Sequence, residues 1–139
     1  YGAAEDLAEH IASQMNKESI DAKIFNGDGL SDVMSYAPST WLVVTSTTGL
    51  GDIPDNLSSI FDEMRDTFPN LSEAKYAVVA MGDSSYVDSF CGAGKQFDAL
   101  MKELMAVPVA DFFEIDAVET MDPVGYLESW LQDLVIKLG

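Results

Sequence analysis

The sequence predicts a single α/β domain in which helices cover both faces of a parallel sheet. Residues 41–44 and 76–81 are short apolar segments, with the length and composition of strands that are buried on both faces. Segments with helical spacing of apolar residues separate the predicted strands. This regular alternation is typical of parallel strands joined by helical crossovers. A chain of 139 residues is long enough for one such domain with a real core.

The first third of the chain is predicted to hold two helices with a short strand between them. Apolar residues recur at helical spacing from Ala4 to Met15, and Glu5 lies in the first turn, where the helix dipole favours an anion. Residues 22–26 form a strand candidate that ends in a turn-like segment rich in Asn, Asp and Gly. Ser31 is predicted to cap a brief helix that ends before Pro38.

The remaining elements follow the two apolar strands in the same alternation. After Pro54 a helix is predicted, with one apolar face made by Leu57, Ile60, Phe61, Met64 and Phe68. Residues 93–105 form the next predicted helix and residues 109–115 the last predicted strand. A final helix starts at Pro123 and is predicted to bury Leu127, Leu131, Leu134, Val135 and Leu138, with Trp130 packing beside that face.

Composition excludes several classes of function. The net charge of −17, with only seven Lys and Arg, argues against nucleic acids and anionic membranes and favours partners with basic faces. No apolar run approaches the roughly 20 residues that cross a bilayer. Cys91 is the one cysteine, so no internal disulfide is predicted, and a reducing, cytoplasmic location is expected.

A loop of small residues follows each of the two apolar strands. Residues 45–51 contain threonines, a serine and two glycines, and residues 82–94 contain a similar mixture around Tyr86. In open parallel sheets, ligands bind in the crevice at the carboxyl ends of the strands. The two loops are therefore predicted to hold a flat cofactor between them.

These loops resemble those of flavodoxin and its relatives. The matching segments are TGLGDIPDN at residues 48–56 and GDSSYVDSFCGAG at residues 82–94, and the resemblance spans nearly the whole chain. It is most specific for the small MioC-type proteins and the FMN domains of diflavin reductases. It implies a flavodoxin-like three-layer α/β/α fold with a five-stranded parallel sheet in the order 2-1-3-4-5. The first strand of that sheet is expected to precede Tyr1.

The resemblance also implies an FMN site. Amides at the start of the first helix are expected to hold the phosphate, Tyr86 to stack on one face of the ring, and Gly49 to permit a peptide flip on reduction. The residues predicted to contact FMN are Tyr1, Gly2, Ala3, Ala4, Glu5, Thr45, Ser46, Thr47, Thr48, Gly49, Leu50, Gly51, Gly82, Asp83, Tyr86, Phe90 and Cys91. Tyr1 and Ala4 stand where the family often has threonine, and Cys91 is expected to pack rather than react.

The function implied is that of an electron carrier, which moves single electrons from an NAD(P)H-dependent flavodoxin reductase to an acceptor enzyme. Two alternatives remain open from the residues alone. One is an FMN-dependent reductase of quinones or similar small acceptors, so the sequence does not decide whether the chain is an enzyme. The other is a flavin-free binding or signalling module on the same fold, such as a receiver domain. A receiver domain needs a phosphoacceptor Asp at the end of its third strand, and the predicted third strand ends in Thr45. No metal site is expected, because the loops that carry Asp52, Asp55, Asp83 and Asp88 are separated by a helix and a strand.

Overall fold

The computed structural model describes residues 2–47, 52–85 and 91–138, and in that part of the chain helices flank a parallel sheet. The helices are α1 (Gly2–Lys17), α2 (Leu30–Tyr36), α3 (Asp55–Thr67), α4 (Gly92–Glu103) and α5 (Pro123–Leu138). The strands are β1 (Thr40–Ser46), β2 (Lys75–Gly82), β3 (Val107–Pro108) and β4 (Phe113–Asp116).

β2 lies at the centre of the described sheet. It pairs in parallel with β1, from Thr40 opposite Lys75 to Ser46 opposite Met81. On its other side it pairs in parallel with both β3 and β4. β1, β2 and the β3–β4 pair therefore take the third, fourth and fifth places of the predicted order.

The side chains of β2 alternate between two cores, as successive residues of a strand must. Tyr76, Val78 and Ala80 are buried in a core with residues of α2, α3 and α4. Val79 and Met81 are buried in a second core with residues of α1 and α5. Helices thus cover both faces of the sheet, which confirms the predicted three-layer α/β/α architecture.

The predicted strand at residues 22–26 is not found, and the described residues do not contain five strands in the predicted order. Residues 21–25 have no regular structure, and an apolar groove of about 480 Å³ separates residues 20–25 from β1. β1 is the edge strand of the described sheet on this side, so residues 22–26 have no neighbour in the described chain with which to pair. For the same reason Leu42, Val43 and Val44, predicted to be buried on both faces, line the groove and are only partly buried.

The predicted last strand at residues 109–115 is also wrong, because two short strands replace it. Pro108 pairs with Tyr76 and Phe113 with Val79, so five residue steps along this segment match three along β2. The residues between the two short strands are not in register with any residue of β2. One of them, Asp111, accepts a hydrogen bond at its carbonyl from the Trp130 indole N–H at 3.0 Å. Pro108 has no N–H to donate, which suits the end of a short strand.

Three helix ends differ from the sequence prediction. α2 begins one residue before the predicted cap Ser31, because Gly29 is the N-cap residue and its amide donates to the Asp32 carboxylate at 3.2 Å. Phe68 is not part of the apolar face of α3. It ends that helix in the left-handed conformation, with φ 48° and 55% of its surface exposed. α4 ends at Glu103, and the chain turns at Met105, which has φ 73°.

Candidate functional site

The carboxyl ends of β1 and β2 lie side by side and form the floor of the candidate site. Ser46 is in register with Met81, and the Thr47 amide donates to the Met81 carbonyl at 3.0 Å. The sheet therefore places the predicted residues Thr45, Ser46 and Thr47 next to Gly82 and Asp83. This adjacency is what the sequence predicted from two buried strands followed by small-residue loops.

The threonines at the end of β1 serve the protein's own structure. Thr45 is 1% exposed, and its hydroxyl donates to the Ser46 carbonyl at 3.1 Å. The Thr47 hydroxyl oxygen accepts a hydrogen bond from the Ala93 amide at 3.1 Å. Thr47 thereby caps the N-terminus of α4 from the neighbouring strand, since Cys91, at the N-cap position, makes no side-chain capping bond.

Cys91 packs in the core at the end of the second loop. Its thiol donates to the Ala80 carbonyl at 3.4 Å, and its side chain is buried. Burial raises the pKa of this thiol to about 11, with a smaller contribution from the negative charge of Glu114. Because the thiolate is the reactive form, Cys91 is a packing residue with little reactivity at neutral pH.

Two carboxylates fix the start of the second loop. Asp83 accepts a hydrogen bond from the Ser85 amide at 2.8 Å, and Asp116 accepts one from the Ser84 amide at 3.3 Å. Asp116 also accepts the Val118 amide at 3.0 Å, so it joins the segment after β2 to the segment after β4. The sequence prediction did not include Asp116, although its place directly after the predicted strand at residues 109–115 could have singled it out.

The N-terminus of α1 is the predicted phosphate position. α1 begins at Gly2, Ala3 and Glu5 are exposed, and Ala4 is buried in the core with α5. The first amides of a helix have no partner within it and carry a partial positive charge. Residues 2–5, 45–47 and 82–85 contain no Lys or Arg. Amides and hydroxyls are thus the donors of this site, and that set fits the phosphate and ribityl groups of FMN.

Several predicted site residues fall outside the part of the chain that the structure describes. These residues, whose roles stay predictions, are Tyr1, Thr48, Gly49, Leu50, Gly51, Tyr86 and Phe90.

The carboxyl edge of the sheet is rich in acidic side chains. Those at the starts of α3 and α5 and in the loops after β2 and β4 are Asp52, Asp55, Asp83, Asp116, Glu119 and Asp122. Lys75 lies at the opposite end of β2, and Lys102 pairs with Asp98 near the C-terminal end of α4. Lys95 lies in the first turn of α4, close enough to Cys91 to act on its charge, so negative charge predominates around the candidate site with this one described basic residue beside it.

The described residues contain no group of three or more His, Cys, Asp or Glu arranged to hold a metal ion. Of the helices in residues 2–47, 52–85 and 91–138, none has the length and apolar character needed to cross a membrane.

Comparisons with known proteins agree with this geometry. A family model described as Flavodoxin matches residues 1–130. The chain is 39% identical to flavodoxin YqcA of Escherichia coli over 132 residues, which are 95% of this chain and 88% of that protein. It is 35% identical to a MioC homolog of Haemophilus influenzae, covering 96% of this chain and 90% of the other. A solved structure, a cysteine-to-serine mutant of flavodoxin from Pseudomonas aeruginosa, superposes with a TM-score of 0.93 at 36% identity, covering 99% and 92% of the two chains.

Proposed function

The chain belongs to the flavodoxin family of FMN-binding electron-transfer proteins, and we propose that it carries single electrons from a reductase to an acceptor enzyme. The observation that carries the proposal is the adjacency of the β1 and β2 ends, where the Thr47 amide is bonded to the Met81 carbonyl. Both loops that the family uses for FMN start from this point. FMN, when bound, supplies a ring that accepts and donates electrons one at a time.

The residues of this chain have separate tasks in the proposal. Amides of residues 2–5 hold the phosphate at the start of α1, which needs no basic side chain. Ser46, Thr47 and residues 82–85 lie beside the ribityl chain and the edge of the ring. Tyr86 covers one face of the ring, and residues 48–50 cover the other. The hydrogen bonds of Thr47 to Ala93 and of Asp116 to Ser84 join these residues to neighbouring elements of the fold.

The partners are proposed to be redox proteins with basic faces that dock at the acidic carboxyl edge of the sheet. The net charge of −17 and the carboxylates around the candidate site support this choice. Docking at that edge brings the partner's redox centre close to the ring. A cytoplasmic location is part of the proposal, since the buried thiol of Cys91 suits a reducing compartment.

The rate at which a flavodoxin reductase with NADPH reduces the FMN-loaded protein is expected to fall about tenfold as salt rises from 0.05 to 0.5 M. Salt screens the attraction between the acidic edge and a basic partner. Stopped-flow absorbance at the flavin band measures the rate. The double substitution Glu119→Gln with Asp122→Asn should slow the reaction at low salt and flatten its salt dependence.

A matched control removes the same charge from the opposite edge of the sheet. Glu73 precedes β2 and Glu103 ends α4, so Glu73→Gln with Glu103→Gln should leave the rate within about twofold. Reduction by NADPH at the same rate without the reductase would contradict the carrier role and favour an FMN-dependent reductase instead. A rate independent of salt would contradict the proposed docking surface.

A further inference from the structure

Asp116 occupies a position from which one side chain can control the loop after β2. It is the last residue of β4 and lies in register with Gly82, the last residue of β2. The Ala117 amide donates to the Gly82 carbonyl at 2.8 Å, so the two strands end together. The chain leaves β2 at Asp83, directly beside the Asp116 carboxylate.

The Asp116 carboxylate is bonded to both segments that leave these strands. It accepts the Ser84 amide at 3.3 Å from the loop after β2, and the Val118 amide at 3.0 Å from the loop after β4. These bonds, together with those of the Ser84 hydroxyl and the Glu119 amide, hold the pKa of Asp116 below its usual value, although desolvation opposes them. The hydroxyl of Ser84 makes the largest contribution. Asp116 is therefore an ionised acceptor at neutral pH.

The far end of the same loop is fixed by a different residue. The Thr47 hydroxyl oxygen accepts the Ala93 amide, and the Cys91 thiol donates to the Ala80 carbonyl. Ser84, which follows β2, is thus bonded to Asp116, and Ala93, at the start of α4, is bonded to Thr47. Ser84 is exposed, so no core packing replaces the Asp116 bonds at the start.

We propose that Asp116 is a positioning residue for FMN, which acts through its hydrogen bonds to Ser84 and holds residues 83–85 at the carboxyl end of β2. The inference rests on the proposed function, because it needs FMN bound against those residues. Asp116 itself does not contact the cofactor. This hydrogen-bonding role is separate from the contribution of Asp116 to the negative charge of the carboxyl edge. Other titratable groups lie near Asp116 at this edge. Those groups are Asp83, Cys91, Lys95, Glu114, Glu119, Asp122 and Tyr126.

The test compares Asp116→Asn with Glu119→Gln. Both remove one negative charge from the same acidic depression, but no hydrogen bond of the Glu119 side chain is seen within the described residues. The Kd of FMN, measured by fluorescence titration of the apo-protein, is expected to rise about tenfold for Asp116→Asn, since the hydrogen bonds to a charged carboxylate become weaker bonds to a neutral amide oxygen. For Glu119→Gln it should stay within about twofold. Ser84→Ala, at an exposed site, should raise the Kd about threefold by removing only the hydroxyl bond.

Spectroscopic readouts separate positioning from a loss of stability. At saturating FMN, Asp116→Asn should show altered visible circular dichroism and less complete quenching of flavin fluorescence, because the loop meets the ring differently. In the apo-protein, hydrogen exchange at the Ser84 and Val118 amides should accelerate in Asp116→Asn and not in Glu119→Gln. If Asp116→Asn does not fold, the comparison of Ser84→Ala with Glu119→Gln tests the proposal in its place.

The possible failures are distinguishable. A wild-type protein that binds no FMN overturns the proposed function and this inference with it. Wild-type binding, together with Kd values and bound-flavin spectra for Asp116→Asn and Ser84→Ala that match those of Glu119→Gln, overturns the inference alone.

Discussion

Replacing Tyr86 with alanine is expected to weaken FMN binding by roughly 1–3 kcal/mol, which is about a 5- to 150-fold rise in Kd. The family resemblance predicts that this ring stacks on one face of the flavin, and a stacked aromatic contact in a desolvated site is worth that much. Tyr86 follows Ser84 by two residues in the sequence. Asp83 and Ser84 directly follow β2 at the carboxyl edge of the sheet, where the cofactor is proposed to bind. Fluorescence titration of apo-protein with FMN measures the change.

Tyr86→Phe is the matched control, because it keeps the ring and removes only the hydroxyl. Its Kd should lie within about threefold of the wild-type value, with flavin fluorescence still quenched. Tyr86→Ala should leave bound flavin visibly more fluorescent. An unchanged Kd and unchanged quenching in the alanine variant would show that the ring is not stacked by Tyr86.

Replacing Gly94 with alanine is expected to reduce the free energy of unfolding by roughly 2 kcal/mol. A Cβ at this position would lie 2.3 Å from the Ala80 Cβ and 3.4 Å from its Cα. Ala80 is fully buried in the middle of β2, so α4 must move away from the sheet. Overpacking of this kind costs about 1–3 kcal/mol, and better helix propensity returns about 1 kcal/mol at most. Because the Ala80 Cβ and Cα cannot rotate out of the way, we expect an overpacking cost near the upper end of that range. Urea unfolding of the apo-protein measures it.

Two further variants separate this clash from a general effect of the substitution. Ala80→Gly removes the Cβ that would be hit, so adding it to Gly94→Ala should recover at least about 1 kcal/mol relative to the sum of the single changes. Gly125→Ala places a Cβ against the Asp122 carboxylate, a side-chain end that accepts the Gly125 amide at 3.1 Å and can rotate away, and should cost no more than about 1 kcal/mol, the usual value of one helix cap. If Gly94→Ala and Gly125→Ala reduced the free energy of unfolding equally, the contact between α4 and β2 would not be as close as the structure shows.

The parts of the fold that depend on local pattern could be predicted from the sequence. β2 is apolar from Tyr76 to Met81, and both of its faces are buried, as that pattern requires. The parts that depend on distant partners could not. Residues 22–26 have the composition of a strand, but a strand needs a neighbour with which to exchange hydrogen bonds. The break between β3 and β4 arises from the match to β2, which nothing in residues 107–116 alone reveals.

The candidate site, like the fold, could be predicted only in part from the sequence. Two apolar strands followed by small-residue loops predicted the position of the site at the ends of β1 and β2. The tasks of individual side chains were harder to predict, because they depend on bonds between residues far apart in sequence. The Thr47 hydroxyl oxygen accepts the amide of Ala93 in α4, and Asp116 accepts that of Ser84 in the loop after β2. The sequence indicates that a polar residue beside a loop will form a hydrogen bond, but it does not show which residue is its partner.

FMN is proposed to lie across the ends of β1 and β2, with its phosphate at the start of α1. The most direct measurement is a titration of ¹⁵N-labelled apo-protein with FMN, followed by the NMR shifts of individual amides. The largest shifts are expected at residues 2–5, 45–47 and 82–85. The amides at the opposite edge, Ser39, Leu71, Lys75 and Val107, should shift little. Largest shifts at that opposite edge, or along the groove at residues 20–25, would contradict the account.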